Sequence, residues 1–109
     1  MNEDEFIKLA DVALARIEAV LEDSGVDLDF AMVSTGVIEI EFPDGGKIIV
    51  NRHSAAKEIW VAARSGGYHF RWDDSVWRDT RDGTELMAAL AALASAQAGA
   101  PVSLDHKSG

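Results

Sequence analysis

Between residues 37 and 72 the sequence repeats one pattern, in which short runs of alternating apolar and polar residues are separated by turn sequences. VIEIEF at 37–42 leads through PDGG to KIIVN at 47–51, and EIWVAA at 58–63 leads through RSGG to YHFRW at 68–72. A period of two is typical of strands that bury one face. Asp and Gly tolerate the positive φ angles of tight hairpin turns, and strands joined by such turns pair antiparallel. The segment therefore predicts consecutive strands of one antiparallel sheet.

Helical patterns lie on both sides of this segment, at residues 3–23 and 82–98, and further strands are predicted at 28–34 and 76–79. Asp82 and Glu85 have the spacing of a helix capping box, and Gly25 and Gly99 are placed to end the two helices. Two terminal helices cover only one face of such a sheet. The predicted fold is an α+β two-layer sandwich in the order α-β-β-β-β-β-β-α. It forms a single domain over residues 1–99, followed by a mobile tail at 100–109.

Composition excludes several classes of function. The net charge of −9 argues against binding a nucleic-acid backbone or an anionic membrane. The absence of cysteine excludes thiolate catalysis and thiolate metal sites. The acidic start, MNEDEF, does not resemble a signal peptide, and no apolar run reaches the length of a membrane span. We expect a cytoplasmic protein.

Most of the net charge lies in residues 1–29, where nine acidic residues face only two basic ones. Four of the acids fall within roughly 40° of one another on a helical wheel, and three more continue beyond the helix. Carboxylates without histidine or cysteine suit hard cations such as Fe²⁺, Mn²⁺, Ca²⁺ or Mg²⁺, bound weakly at a surface. The alternative is a solvated helix face without function. These seven residues are Asp4, Asp11, Glu18, Glu22, Asp23, Asp27 and Asp29.

The second candidate site is the sheet face that the helices leave uncovered. If Ile48, Ile59 and Phe70 point inward, alternation assigns the neighbouring positions to the outer side, and we call this the open face. Pairing of neighbouring strands then brings Asn51, Trp60 and His69 together, a composition typical of protein-binding hot spots. The alternative is that Trp60 only lies flat over its cross-strand neighbours, stacked with Arg71. The open face comprises Ile49, Asn51, Glu58, Trp60, Ala62, His69 and Arg71.

No catalytic constellation is apparent, and we predict no enzyme activity. His53 is expected in a loop and His106 in the tail, and neither forms a pattern with a nucleophile and an acid. GGK at 45–47 belongs to a hairpin and is not a phosphate-binding loop.

The run GGKIIVNRHSAAKEIWVAARSGGYHF, flanked by FIKLADVALARIEAVLED and WRDTRDGTEL, resembles the frataxin family, most closely its bacterial branch. The resemblance spans about residues 1–99. It implies the sandwich described above and a role as an iron-binding regulator of iron–sulfur cluster assembly. It places the family's acidic ridge on the seven carboxylates named above, and its sheet-surface residues on Asn51, Arg52 and Trp60. Ile7 and Met32 stand where relatives can carry polar residues.

The resemblance further implies weak surface binding of Fe²⁺ or Fe³⁺ and docking on the cysteine desulfurase and scaffold proteins. The expected partner-binding set is Asn51, Arg52, Trp60, His69 and Arg71. A monomer is expected, and metal-dependent oligomers are left open. Two alternatives stand beside this hypothesis: a ferroxidase that stores iron, and an acidic interaction module without a metal role.

Overall fold

Two helices and six strands form the fold. The structure, a computed structural model, describes residues 1–102 and residue 104. The elements in chain order are α1 (Glu3–Asp23), β1 (Asp29–Ser34), β2 (Val37–Glu41), β3 (Lys47–His53), β4 (Glu58–Ala63), β5 (Gly66–Trp72), β6 (Trp77–Asp79) and α2 (Leu86–Ala98). The strands form one antiparallel sheet in the order β1-β2-β3-β4-β5-β6. The predicted fold class and element order are confirmed.

The core lies between the helices and one face of the sheet. The inward residues Ile48, Ile59 and Phe70 of the central strands are completely buried, as the alternation predicts. Phe6 of α1 packs edge-on against Trp77 of β6, with ring centroids 5.9 Å apart. Six apolar residues of α1 supply the facing layer: Phe6, Ala10, Leu14, Ile17, Val20 and Leu21.

The start of α2 differs from the prediction. The helix is capped by Glu85, whose carboxylate accepts a hydrogen bond from the Met87 backbone N–H at 2.9 Å. Asp82 instead accepts the Thr84 backbone N–H at 2.9 Å and closes a local turn. Because an aspartate can cap a turn as readily as a helix, the capping-box spacing alone did not locate the helix start. The predicted end at Gly99 is confirmed by its left-handed φ of 70°.

The chain beyond α2 packs against the domain at two positions of the predicted tail. Val102 and Leu104 are buried, with 6% and 3% of their surface exposed. The Val102 backbone N–H donates to Ser95 Oγ at 2.8 Å, which turns the chain back toward α2. The packed domain thus extends beyond residue 99. Residues 103 and 105–109, including His106, lie outside the described residues.

The two edges of the sheet differ. β6 is only three residues long, and on its outer side the backbones of Arg78 and Glu85 form an isolated antiparallel β-bridge. β1 is exposed along most of its length, with Met32 and Val33 45% and 54% exposed, and its register with β2 shifts between Met32 and Ser34.

Candidate functional site

Trp60 lies at the centre of the open face, on β4. It is opposite Asn51 of β3 on one side and His69 of β5 on the other. Both helices pack on the other face, and the indole is half-buried rather than sealed. The structure thus brings Asn51, Trp60 and His69 together, as strand alternation predicts.

Trp60 is stacked between two imidazole rings. The ring centroid of His53 lies 3.8 Å from that of Trp60 and the centroid of His69 lies 4.5 Å away, and both imidazoles are within 10° of parallel to the indole. Trp60 thus contacts its cross-strand neighbour His69, as the predicted alternative requires, but its stacking partners are two imidazoles and not Arg71. Strands are spaced about 4.8 Å apart, so three parallel rings on adjacent strands stand side by side. The indole therefore presents its edge outward.

His53 is the residue of this stack that sequence reasoning missed. The sequence pattern predicts that β3 ends at residue 51 and that His53 lies in a loop, but the strand continues to His53. The signal was present in the sequence, because positions 49, 51 and 53 share one side of a continuing strand. The polar residues Arg52 and His53 hid it.

Glu58 supports the stack from within the sheet. Only 8% of its side chain is exposed, and Trp60 Nε1 donates to Glu58 Oε1 at 2.9 Å. Arg71 Nη2 donates to Glu58 Oε2 at 2.6 Å. Burial acts to raise the pKa of Glu58, but the hydrogen bonds from Trp60 and Arg71 outweigh burial and hold the pKa below its usual value. Glu58 therefore remains a carboxylate, and it fixes the indole and ties Arg71 to the open face.

Arg52 does not belong to the open face, contrary to the expectation drawn from the family resemblance. Successive residues of a strand point to opposite faces, so Asn51 and Arg52 cannot share one. Arg52 lies opposite the buried Ile59, and its guanidinium forms an ion pair with Asp11 of α1. Only 16% of the Arg52 side chain is exposed. Its role here is to connect β3 to α1.

The carboxylates of the acidic ridge lie along α1 and into β1. All are exposed except Glu18, which is half-buried. Within residues 1–102 and 104, Asp11 is the only one of the seven in an ion pair. No three histidine or acidic side chains in this part of the chain converge closely enough to hold a metal ion. These carboxylates suit a hard cation that binds at the surface and keeps much of its water, and they do not suit an enclosed metal site.

One hollow gathers three acids at the β1 end of the sheet. Asp27 and Asp29 line a space of about 330 Å³ together with Glu41 of β2, which pairs with Asp29 across the strands. Glu41 was not among the predicted ligands, because alternation assigned it only to a solvent-facing strand position. The β1–β2 pairing that brings it beside Asp29 could not be read from the ridge alone.

A membrane-spanning helix is not found among the residues described, since neither helix combines sufficient length with sufficient apolar character.

Three comparisons place this geometry among known proteins. Residues 1–100 match the family model for a frataxin-like domain. The iron-sulfur cluster assembly protein CyaY of Dechloromonas aromatica is 62% identical over 104 residues, covering 95% of this chain and 99% of that protein. The solved frataxin from Psychromonas ingrahamii is similar with a TM-score of 0.89 and 32% identity, covering 97% of this chain and all of that one. A trimeric frataxin from the yeast Saccharomyces cerevisiae, complexed with ferrous iron, is similar with a TM-score of 0.63 and 26% identity, covering 91% and 88%.

Proposed function

The chain belongs to the frataxin-like family, in its bacterial CyaY branch, and we propose on this premise that it is an accessory protein of iron–sulfur cluster assembly. It binds Fe²⁺ or Fe³⁺ weakly on the acidic ridge and docks on the cysteine desulfurase and scaffold proteins. It acts as a cytoplasmic regulator and performs no catalysis itself. The names of its relatives support the pathway, and the charges and contacts described above support the mode of action.

The observation that carries the proposal is the unneutralised charge of the ridge. Six carboxylates have no ion-pair partner among the described residues, and only Asp11 has one. Exposed like charges on a helix and the adjoining strand repel one another, which costs stability unless a cation or a basic surface binds there. These six are Asp4, Glu18, Glu22, Asp23, Asp27 and Asp29.

Iron bound on such a surface is carried by the protein and is not a resident cofactor. Oxygen ligands from carboxylates and water suit Fe²⁺ and Fe³⁺, and the spread of the donors predicts weak, salt-sensitive binding. The hollow lined by Asp27, Asp29 and Glu41 brings three of these carboxylates to one surface depression, where a hydrated cation would be attracted by all three. A metal site like that of a di-iron oxidase would instead require enclosed Glu and His ligands on facing helices.

Docking uses two surfaces of different chemistry. The ridge steers the protein onto a positive patch by long-range attraction, which mainly raises the association rate. The open face supplies an aromatic anchor in Trp60, flanked by Asn51, His69 and Arg71, and such residues dominate the energy of many interfaces. Arg52 contributes indirectly, because it holds Asp11 of the ridge against β3.

The metal part of the proposal is tested by titrating the protein with Co²⁺ or Fe²⁺ while recording backbone amide NMR spectra. Broadening confined to residues 4–29 and to Glu41 is expected, and it should fade as salt is added. Uniform broadening, or none, would contradict iron binding at the ridge.

The docking part is tested by measuring binding to a bacterial cysteine desulfurase with its scaffold protein. Glu18→Gln with Glu22→Gln raises the net charge by two within the ridge. Ala88→Lys with Ala92→Lys raises it by the same amount on the exposed side of α2. The ridge variant should bind about tenfold or more weakly and the α2 variant close to normally, because local rather than total charge steers docking. Equal losses in both variants would reject the ridge as the contact.

A further inference from the structure

The stack of His53, Trp60 and His69 is held by hydrogen bonds as well as by ring contact. His53 Nδ1 accepts a hydrogen bond from the Ala56 backbone N–H at 3.2 Å, which ties this imidazole to the turn that follows β3. Trp60 Nε1 donates to Glu58 at 2.9 Å. His69 Nδ1 lies 3.6 Å from the same Glu58 oxygen. His53 and Trp60 are thus each held by a hydrogen bond, whereas His69 lies near the Glu58 carboxylate without a hydrogen bond to it.

The consequence for docking is that Trp60 is presented in one orientation. An anchor that is already in its bound conformation loses less conformational freedom on binding. Because both faces of the indole are covered, a partner meets its outer edge and the neighbouring imidazole edges. The residues that hold the indole therefore determine what the partner encounters.

We propose that His53 is a positioning residue of the docking surface, and that proton uptake by His53 releases one side of Trp60 and weakens docking as the pH falls. This inference rests on the proposed docking function and adds a form of regulation to the same surface. It concerns His53 rather than His69 because the two imidazoles have opposite surroundings.

The difference lies in what faces each Nδ1 atom. Because His53 Nδ1 accepts a hydrogen bond, it presents a lone pair to the Ala56 N–H. Protonation converts that nitrogen into a donor facing the Ala56 N–H, so the bond that orients the ring is lost. His69 Nδ1 faces the carboxylate of Glu58, an arrangement that a protonated ring retains. Attraction between an imidazolium and the indole face keeps some contact but does not restore the orientation.

The charges around the stack favour the same direction. Glu58, the cross-strand neighbour of His53, is already ion-paired with Arg71 at 2.6 Å. On β6, Arg78 is ion-paired with Asp73 at 2.5 Å. Lys57 lies in the turn that carries Ala56. A proton on His53 therefore adds positive charge beside Glu58 and Asp73, the two acids that are already paired with arginines.

The first test needs no partner. The indole N–H signal of Trp60 is followed by NMR from about pH 8 to about pH 5, the range in which histidine ordinarily changes charge. The comparison is between the unmodified protein, His53→Gln and His69→Gln. Glutamine retains an acceptor for the Ala56 N–H and does not titrate. The buried Trp77 serves as an internal reference.

The Trp60 signal should move with pH in the unmodified protein, and His53→Gln should remove most of that movement while the Trp77 signal stays in place. A Trp60 signal that does not move would overturn the proposal. So would movement that persists in His53→Gln and disappears in His69→Gln, because the sensitivity would then belong to the other ring.

The second test measures affinity for the desulfurase and scaffold at about pH 7.5 and about pH 6. The ratio of the two affinities is compared between the unmodified protein and His53→Gln, since titration of the partner affects both equally. The unmodified protein should lose about threefold more affinity on acidification than the variant. Equal ratios would reject His53 as the sensor. If neither protein binds at either pH, the proposed docking function fails. The NMR titration still decides whether the stack of His53, Trp60 and His69 responds to protons.

Discussion

At the scale of single residues, Glu58 shows how one buried carboxylate can organise a surface. Its two oxygens accept hydrogen bonds from Trp60 and Arg71, so the aromatic ring and the cation of the open face are both fixed by it. Alternation predicted the position of Glu58 on the open face correctly. It did not predict the burial of Glu58, because burial depends on how the side chains of neighbouring strands pack around it. Side-chain packing of this kind leaves no periodic trace in a sequence.

Glu58→Gln should lower the free energy of unfolding by about 1 kcal/mol near neutral pH, because the ion pair with Arg71 is lost while an acceptor for Trp60 remains. The pKa of Glu58 is lower in the folded chain than in the unfolded one. Its stabilising contribution is therefore fully present above the usual glutamate pKa and is lost as the pH falls through the folded value. The two proteins should converge in acid. Urea unfolding across this range measures the difference.

Glu41→Gln is the matched control, because Glu41 is exposed on the same side of the sheet. It should change stability little near neutral pH. A Glu58→Gln protein that is as stable as the control at neutral pH would show that the pair contributes nothing.

At the scale of secondary-structure elements, the connection between β3 and α1 depends on a turn that is remote from both in sequence. Arg52 reaches Asp11 by passing over Gly36 in the turn between β1 and β2, and the Arg52 backbone N–H donates to the Gly36 carbonyl at 3.0 Å. A Cβ at Gly36 would lie 2.7 Å from Arg52 Nε. Gly36 lies between the predicted strands at 28–34 and 37–42, but the requirement for glycine there also arises from an arginine sixteen positions later. Only the fold brings the two together.

Gly36→Ala should destabilise the protein more than Gly45→Ala. Both glycines have a positive φ, 77° and 87°, so each substitution costs roughly 1–2 kcal/mol in backbone strain. Nothing lies within 4 Å of a Cβ at Gly45, whereas at Gly36 the Arg52 side chain must move and its ion pair with Asp11 is disturbed. Thermal or chemical unfolding of both variants provides the comparison. Equal losses would mean that Arg52 moves aside at no cost.

The elements themselves were largely predictable, and their ends were not. The sequence predicted all six strands and one antiparallel sheet, since strands joined by short turns pair antiparallel. The predicted start of α2 was wrong because local hydrogen bonds compete there, and the predicted end of β3 was wrong because polar residues continue the strand. Asp82 caps a turn instead of a helix, and β3 continues to His53, whose pairing with Glu58 lengthens the strand.

At the scale of the whole molecule, the core is completed by residues from beyond α2. Val102 and Leu104 are buried in the core cluster although the sequence around them, PVSLDHKSG, is typical of a flexible end. Isolated apolar residues among polar ones carry no periodicity, so burial there could not be distinguished from exposure. The acidic ridge, in contrast, was visible in the sequence, because an uneven distribution of charged residues along the chain can be counted without knowing the fold.

Val102→Ala should lower the free energy of unfolding by about 1–2 kcal/mol, as expected for removing two buried carbon atoms. Val12→Ala is the matched control, because the same atoms are removed from a side chain that is 69% exposed. Val12→Ala should change stability by a few tenths of a kcal/mol at most. Denaturant melts of both variants measure the contrast. Similar values for the two would mean that the segment after α2 contributes nothing to the core.

The contrast between the two sheet edges bears on how the protein escapes fibril growth. A free strand edge is a template on which further chains can add. At one margin the three-residue β6 offers too few unpaired backbone groups to start such growth. The backbone of Arg78 is also engaged there in a β-bridge with Glu85. At the other, the irregular register of β1 interrupts the template beside exposed Met32 and Val33, and Asp27 and Asp29 repel incoming copies. The negative charge at this margin thus also protects it from self-templating, so neutralising Asp27 and Asp29 should leave the irregular register of β1 as the remaining barrier to growth there.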